Sequence, residues 1–124
     1  RDVAVTGVQT CALPILEKVL RLVKLEEWIK KLPEGLDTVV GERANAVSGG
    51  ERQRILLARA LLRNPKIFIF DESTSALDVN TEKEIMENIR KFYPDATRIF
   101  ITHRENCLEL FDRVVFIENG EIFR

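Results

Sequence analysis

The chain has 124 residues, with 19 basic against 20 acidic side chains and a net charge of −1. That length fits one domain or part of one, and the balanced charge excludes the basic excess of a nucleic-acid surface. No apolar run approaches the ~20 residues of a spanning helix, so any membrane part belongs on another stretch of the full protein or on a partner. The two cysteines, Cys11 and Cys107, form no disulfide framework and point to a reducing compartment.

The first segment stands apart from the rest. Val5 to Ile15 reads VTGVQTCALPI and resembles a translated frame of a widely used sequencing adapter. Arg1 and Asp2 correspond to the bases just before the adapter's index, and Val3 with Ala4 to the index itself. Residues 1–15 are therefore expected to be a non-native leader without partner strand or core, with the natural product entering at about Leu16; a genuine strand-like segment is the alternative.

From Leu16 to Lys31 the spacing of Leu16, Val19, Leu20, Val23, Leu25, Trp28 and Ile29 predicts one helix with a broad buried stripe. Pro33 and Gly35 end it, and the following LPEGLDTVVGERANA reads as a loop with a short extended piece. Ser48-x-x-Glu51 then has the form of a capping box opening the next helix. Its buried face is expected from Ile55, Leu56, Ala58, Leu61 and Leu62, and Asn64-Pro65 stops it. The free N–H groups and dipole at Ser48, Gly49 and Gly50 favour an anion such as a terminal phosphate, although SGG alone could be no more than a cap.

Ile67 to Phe70 carries no polar alternation, as expected of a parallel strand covered on both faces. Ligands bind at the carboxyl ends of such strands. Asp71 and Glu72 leave that end as a magnesium ligand and a water-orienting carboxylate would, where the plain alternative is a solvated acidic turn. Thr81 to Phe92 reads as a helix with Ile85, Met86, Ile89 and Phe92 inward, closed by Pro94-Asp95. RIFIT is the next strand, with His103 at its end. Asn119-Gly120, between Arg113–Ile117 and Glu121–Phe123, is a strong hairpin signal.

Taken together, VSGGE, IFIFDE, SALD (Ser75 to Asp78) and His103 resemble, in order and spacing, the signature, Walker B strand, D-loop and switch histidine of an ABC-type ATPase domain. The resemblance covers about Leu32 to Arg124 and implies an α/β P-loop NTPase fold in truncated form: residues 16–64 as helical subdomain, residues 65–124 as a parallel sheet with flanking helices. Glu51 replaces the commoner glutamine of the signature. None of the six glycines begins the GxxxxGK string of a P-loop, so the nucleotide cradle, the A-loop aromatic and the Q-loop glutamine are expected upstream.

The resemblance further implies Glu72 and His103 as catalytic residues, Asp71 at Mg2+, and Ser48, Gly49, Gly50, Glu51 and Asp78 at ATP. Two such domains meet head to tail in the family, so that Ser48 to Gly50 of one close over nucleotide held by the other. TVVGER (Thr38 to Arg43), LPEGLDT and THR resemble the exporter branch, which implies contact of Thr38 to Arg43 with a transmembrane domain at the cytoplasmic face of a membrane. A non-transport ABC ATPase of DNA repair or chromosome maintenance shares the other motifs. A catalytically inert fragment is the third reading.

Overall fold

The computed structural model describes residues 13–41 and 46–123. The expected leader thus lies outside the described residues as far as residue 12, and the three that follow already belong to a helix, with Leu13 and Ile15 exposed. Glu42 and Arg43 of TVVGER also lie outside.

The single helix expected over Leu16 to Lys31 is two: α1 (residues 13–22) and α2 (Glu26–Lys30). The break is a Schellman turn, in which the Leu25 N–H donates to the Leu20 carbonyl at 2.9 Å and the Lys24 N–H to that of Arg21 at 3.1 Å. Lys24 occupies the left-handed position at φ 58°. The turn lets Val23 and Leu25 both become fully buried beside Val19, which a continuous 100° periodicity would not allow. Trp28 and Ile29 pack on this cluster from α2, and a short 3-10 turn, Gly35–Asp37, follows.

α3 (Gly49–Leu62) starts on the capping box that the sequence indicated. Its buried face is Leu57, Ala58 and Leu61, with Ile55 partly packed, while Leu56 and Leu62 are exposed. The correction is a rotation of the stripe: positions 54, 57, 58 and 61 share one face, and Arg54 on that face reaches the Lys24 carbonyl at 2.8 Å. Asn64, at φ 46°, turns the chain out of the helix.

β1 (Ile67–Asp71) and β2 (Thr97–Ile101) form a parallel pair in register Ile67↔Thr97 through Asp71↔Ile101. α4 (Val79–Phe92) makes the crossover between them, as parallel strands require. Ile85, Met86 and Ile89 are buried on its inner face. They belong to the core that also holds Phe68, Phe70 and Tyr93, whose hydroxyl donates to the Leu61 carbonyl at 2.9 Å. Burial along β1 alternates: Phe68 and Phe70 point into the core, Ile67 and Ile69 outward. The expectation of cover on both faces is therefore not met, because all the layers among the described residues pack on one side of the sheet. β3 (Phe116–Glu118) and β4 (Glu121–Phe123) pair antiparallel. Asn119 and Gly120, both at positive φ, close the hairpin.

Ile85 has no exposed surface, so Ile85→Ala removes three methyl or methylene groups from the centre of the crossover packing. A loss of about 2–5 kcal/mol is expected, read from urea unfolding of an intact domain carrying the substitution.

Candidate functional site

The carboxyl edge of the β1–β2 pair is where Asp71, Glu72 and His103 meet. After Asp71 the ladder continues by one bond, the Glu72 N–H donating to the Ile101 carbonyl at 2.9 Å. Glu72 then turns into the left-handed region at φ 50°, a conformation that costs a residue with a side chain about 1–3 kcal/mol. Its carbonyl accepts from the Ser75 N–H at 3.3 Å and from Gln53 Nε2 at 3.2 Å. Held on both sides, the residue directs its carboxylate to His103, whose Nε2 lies 3.3 Å from Oε1. His103 itself is 93% exposed, so solvent screens the pair and its worth is geometric. Asp71 is exposed one residue earlier.

The signature helix approaches the same loop from the other side. In the capping box the Glu51 N–H donates to Ser48 Oγ at 3.2 Å and the Ser48 N–H to Glu51 Oε2 at 2.8 Å. The amides of Gly49 and Gly50, first in the helix, are left without intrahelical acceptors. An open groove of about 370 Å³ runs between this helix start and the following loop, lined by Ser48, Gly49, Gly50, Arg54, Ala76 and Asp78 among others. A Cβ on Gly50 would stand 3.4 Å from the Ala76 carbonyl oxygen and from Leu77 Cδ2, ordinary van der Waals contact, so helix start and loop lie side by side. Asp78 caps α4: it accepts from the Thr81 N–H at 3.0 Å and from the Thr81 hydroxyl at 2.7 Å. The Thr81 hydroxyl, then its amide, holds the Asp78 carboxyl below its ordinary value.

Ser48, Gly49, Gly50 and Asp78 therefore share one groove, and Asp71, Glu72 and His103 share one strand edge. Glu51 joins neither, because its carboxylate is turned back onto its own helix start. At its helix end the groove offers two glycine amides and a helix N-terminus, which favour an anion, with the Arg54 side chain and the Asp78 carboxylate also on its walls. Among the described residues no three His, Cys, Asp or Glu side chains form a cage for a metal ion. A cation at the strand edge would thus rest on Asp71, water and phosphate oxygens, the ligand set magnesium accepts.

Three residues to which the sequence assigned no role at the site, Gln53, Glu82 and the last residue of THR, Arg104, hold the loop between strand and α4. Gln53 bonds Glu72, Ser75 and Ala76. Arg104 donates to the carbonyls of Thr74 at 3.0 Å and Leu77 at 2.9 Å. It also lies 3.2 Å from Glu82 Oε2, which finds no hydrogen bond of good geometry, so that contact is electrostatic. Glu82, on the core face of α4, accepts the Thr74 hydroxyl at 2.5 Å. A carboxylate amid Ile85, Met86 and Ile89 was the one available signal, since a charge on an apolar stripe requires a partner.

A family profile described as ABC transporter matches residues 8–75. The chain is 47% identical over 110 residues to the leukotoxin translocation ATP-binding protein LktB of Mannheimia haemolytica, covering 86% of this chain and 16% of that protein. The corresponding protein of Bibersteinia trehalosi gives the same figures. Among solved structures, that of a bacterial Atm1-family ABC exporter with ATP bound superposes with a TM-score of 0.76 at 38% identity, over 85% of this chain and 18% of that one. The chain spans less than a fifth of the length of each of these relatives.

Arg104→Met leaves Glu82 buried without its counter-charge and frees two loop carbonyls. The expected cost is about 3–5 kcal/mol, measured by urea unfolding of an intact domain. Adding Glu82→Gln should recover part of that loss, since the neutral amide leaves no charge uncompensated; equal stability of single and double variants would show that the pair carries no net energy.

Proposed function

This chain belongs to the ABC transporter family, and from that premise we propose that it supplies the signature and water-positioning half of an ATP-hydrolysing domain in an exporter. The observation that carries the reading is the Glu72–His103 pair at the ends of adjacent parallel strands, 3.3 Å apart, beside a loop that also walls the signature groove. LktB is described as translocating a leukotoxin and the Atm1-family protein as an exporter. With TVVGER and the balanced charge, these relatives support transport over DNA maintenance.

When bound, Mg-ATP supplies the phosphoryl group to be transferred and the cation that offsets its charge. Glu72 orients the attacking water and accepts its proton at the carboxylate, the task of a group within hydrogen-bond reach. His103 fixes that carboxylate through Nε2 and would hydrogen-bond the terminal phosphate. Asp71 would hold the cation. Ser48, Gly49 and Gly50 present hydroxyl and amide donors to phosphate across a head-to-tail dimer, and Asp78 keeps the start of α4 at the same interface. Glu51 serves as the cap that holds the helix start open rather than as a phosphate contact. Thr38 to Arg43 meets a transmembrane domain at the cytoplasmic face. Among the described residues no helix is long and apolar enough to cross a membrane.

The 124-residue chain by itself contains no phosphate-cradling P-loop string, and that loop supplies most nucleotide contacts. Calorimetric titration of the purified chain with Mg-ATP is expected to show no tight binding and no turnover; micromolar affinity of a monomer would contradict this.

In the full-length protein, Glu72→Gln is expected to retain ATP and a closed dimer while phosphate release falls about 10²- to 10⁴-fold. Asp71→Asn should instead raise the magnesium concentration needed for half-maximal turnover. Near-parental phosphate release in Glu72→Gln would remove the residue from this role.

A further inference from the structure

The carboxamide of Gln53 makes three hydrogen bonds to one short stretch of chain. Nε2 donates to the Glu72 carbonyl at 3.2 Å and to Ser75 Oγ at 2.8 Å, and Oε1 accepts from the Ala76 N–H at 2.8 Å. The partners fix which end is which: a carbonyl oxygen can only accept and an amide N–H can only donate, so the reversed carboxamide would lose two of the three bonds. No other side chain of α3 bonds backbone groups of that stretch among the described residues. Its target is also unusual, for Glu72 is held in the left-handed region directly before its carboxylate meets His103.

We propose that Gln53 is a positioning residue for the hydrolytic site, transmitting the placement of the signature helix to the Glu72 carboxylate. The proposal rests on the reading of Glu72 as the water-orienting group. Gln53 does not line the signature groove, so it acts through Glu72 rather than on nucleotide. It stands one turn inside the helix whose first residues, Ser48 to Gly50, form that groove. The groove's far wall is Ala76 and Leu77, the same stretch that Gln53 grips. A shift of the helix start therefore reaches the Glu72 peptide through one planar, fully engaged amide. Release of that amide leaves the Glu72 carbonyl with the Ser75 N–H as its remaining partner, and the left-handed turn loses one of its two outside restraints.

The test uses the full-length transporter in lipid, with nucleotide sites counted by ATP binding. Gln53→Ala and the near-isosteric Gln53→Glu, which puts an acceptor oxygen against the Glu72 carbonyl, are compared with the parent. Both are expected to lower kcat per nucleotide site by about 10- to 100-fold while KM for Mg-ATP stays within about twofold, the pattern of an interaction needed only beyond the bound state. A fold-stabilising role alone predicts fewer binding-competent sites at unchanged kcat per site, and that result overturns the proposal. So does a Gln53→Glu protein with the parent's melting temperature and kcat. A parent without ATPase activity overturns the underlying reading and this inference with it, whereas an active parent that Glu72→Gln silences and Gln53→Glu does not overturns this inference alone.

Discussion

Everything at the site follows from the parallel pairing of β1 with β2. Because the strands run in the same direction and in register up to Asp71↔Ile101, both chains leave the sheet at one edge. A parallel pair cannot close with a tight turn, so α4 must cross the sheet, and its apolar face Ile85, Met86 and Ile89 supplies the burial that makes the crossing favourable. The Glu72 amide adds one more rung to the ladder, and two residues past the end of β2 the chain presents His103. Glu72 and His103, separated by about thirty residues of sequence, become neighbours because both leave the sheet at that edge.

Between the last ladder bond at Glu72 and the helix start at Asp78, turn bonds satisfy only part of the peptide groups, and buried backbone polar groups do not go unpaired. Side chains from three separate elements add further bonds: Gln53 from α3, Arg104 from beyond β2, and Glu82 from α4 through Thr74. A network of this kind is worth more than its separate bonds because each member holds its neighbours in place. The contrast is with the exposed pairs Arg21–Glu26 and Lys30–Glu27, where solvent screening leaves little net energy. Rigidity is thus concentrated around the left-handed turn at Glu72, where a misplaced carboxylate would matter most.

The sheet itself is one-sided. Phe68 and Phe70 stack in the core, while Ile69 remains 66% exposed and Ile99 46% exposed across the ladder from it. An all-apolar strand is a two-sided pattern, and the described layers answer only one of the sides. The same residues that set the register therefore leave an apolar face that the described layers do not cover.

The sequence determined what depends on local chemistry. Ser48-x-x-Glu51 specified its cap, Asn119-Gly120 its hairpin, and the stripe Ile85, Met86, Ile89 the buried face of α4, since caps, turns and periodicity act within a few residues. The family motifs proposed Ser48 to Gly50, Asp71, Glu72, Asp78 and His103 as site residues, and the fold sets Ser48 to Gly50 with Asp78 along one groove and Glu72 beside His103. What required tertiary structure was every feature fixed by a distant partner. The break at Lys24 exists because Val23 and Leu25 both find a core to enter, and the rotation of the α3 stripe because the rest of the domain sits opposite Leu57 rather than Leu56. Glu51 was drawn toward the phosphate by its motif and away from it by the Ser48 amide. Gln53 and Arg104 carry no local sign of the loop they hold, because a carboxamide or guanidinium that spans 19 to 30 residues of sequence acquires its role only when the fold brings both ends together.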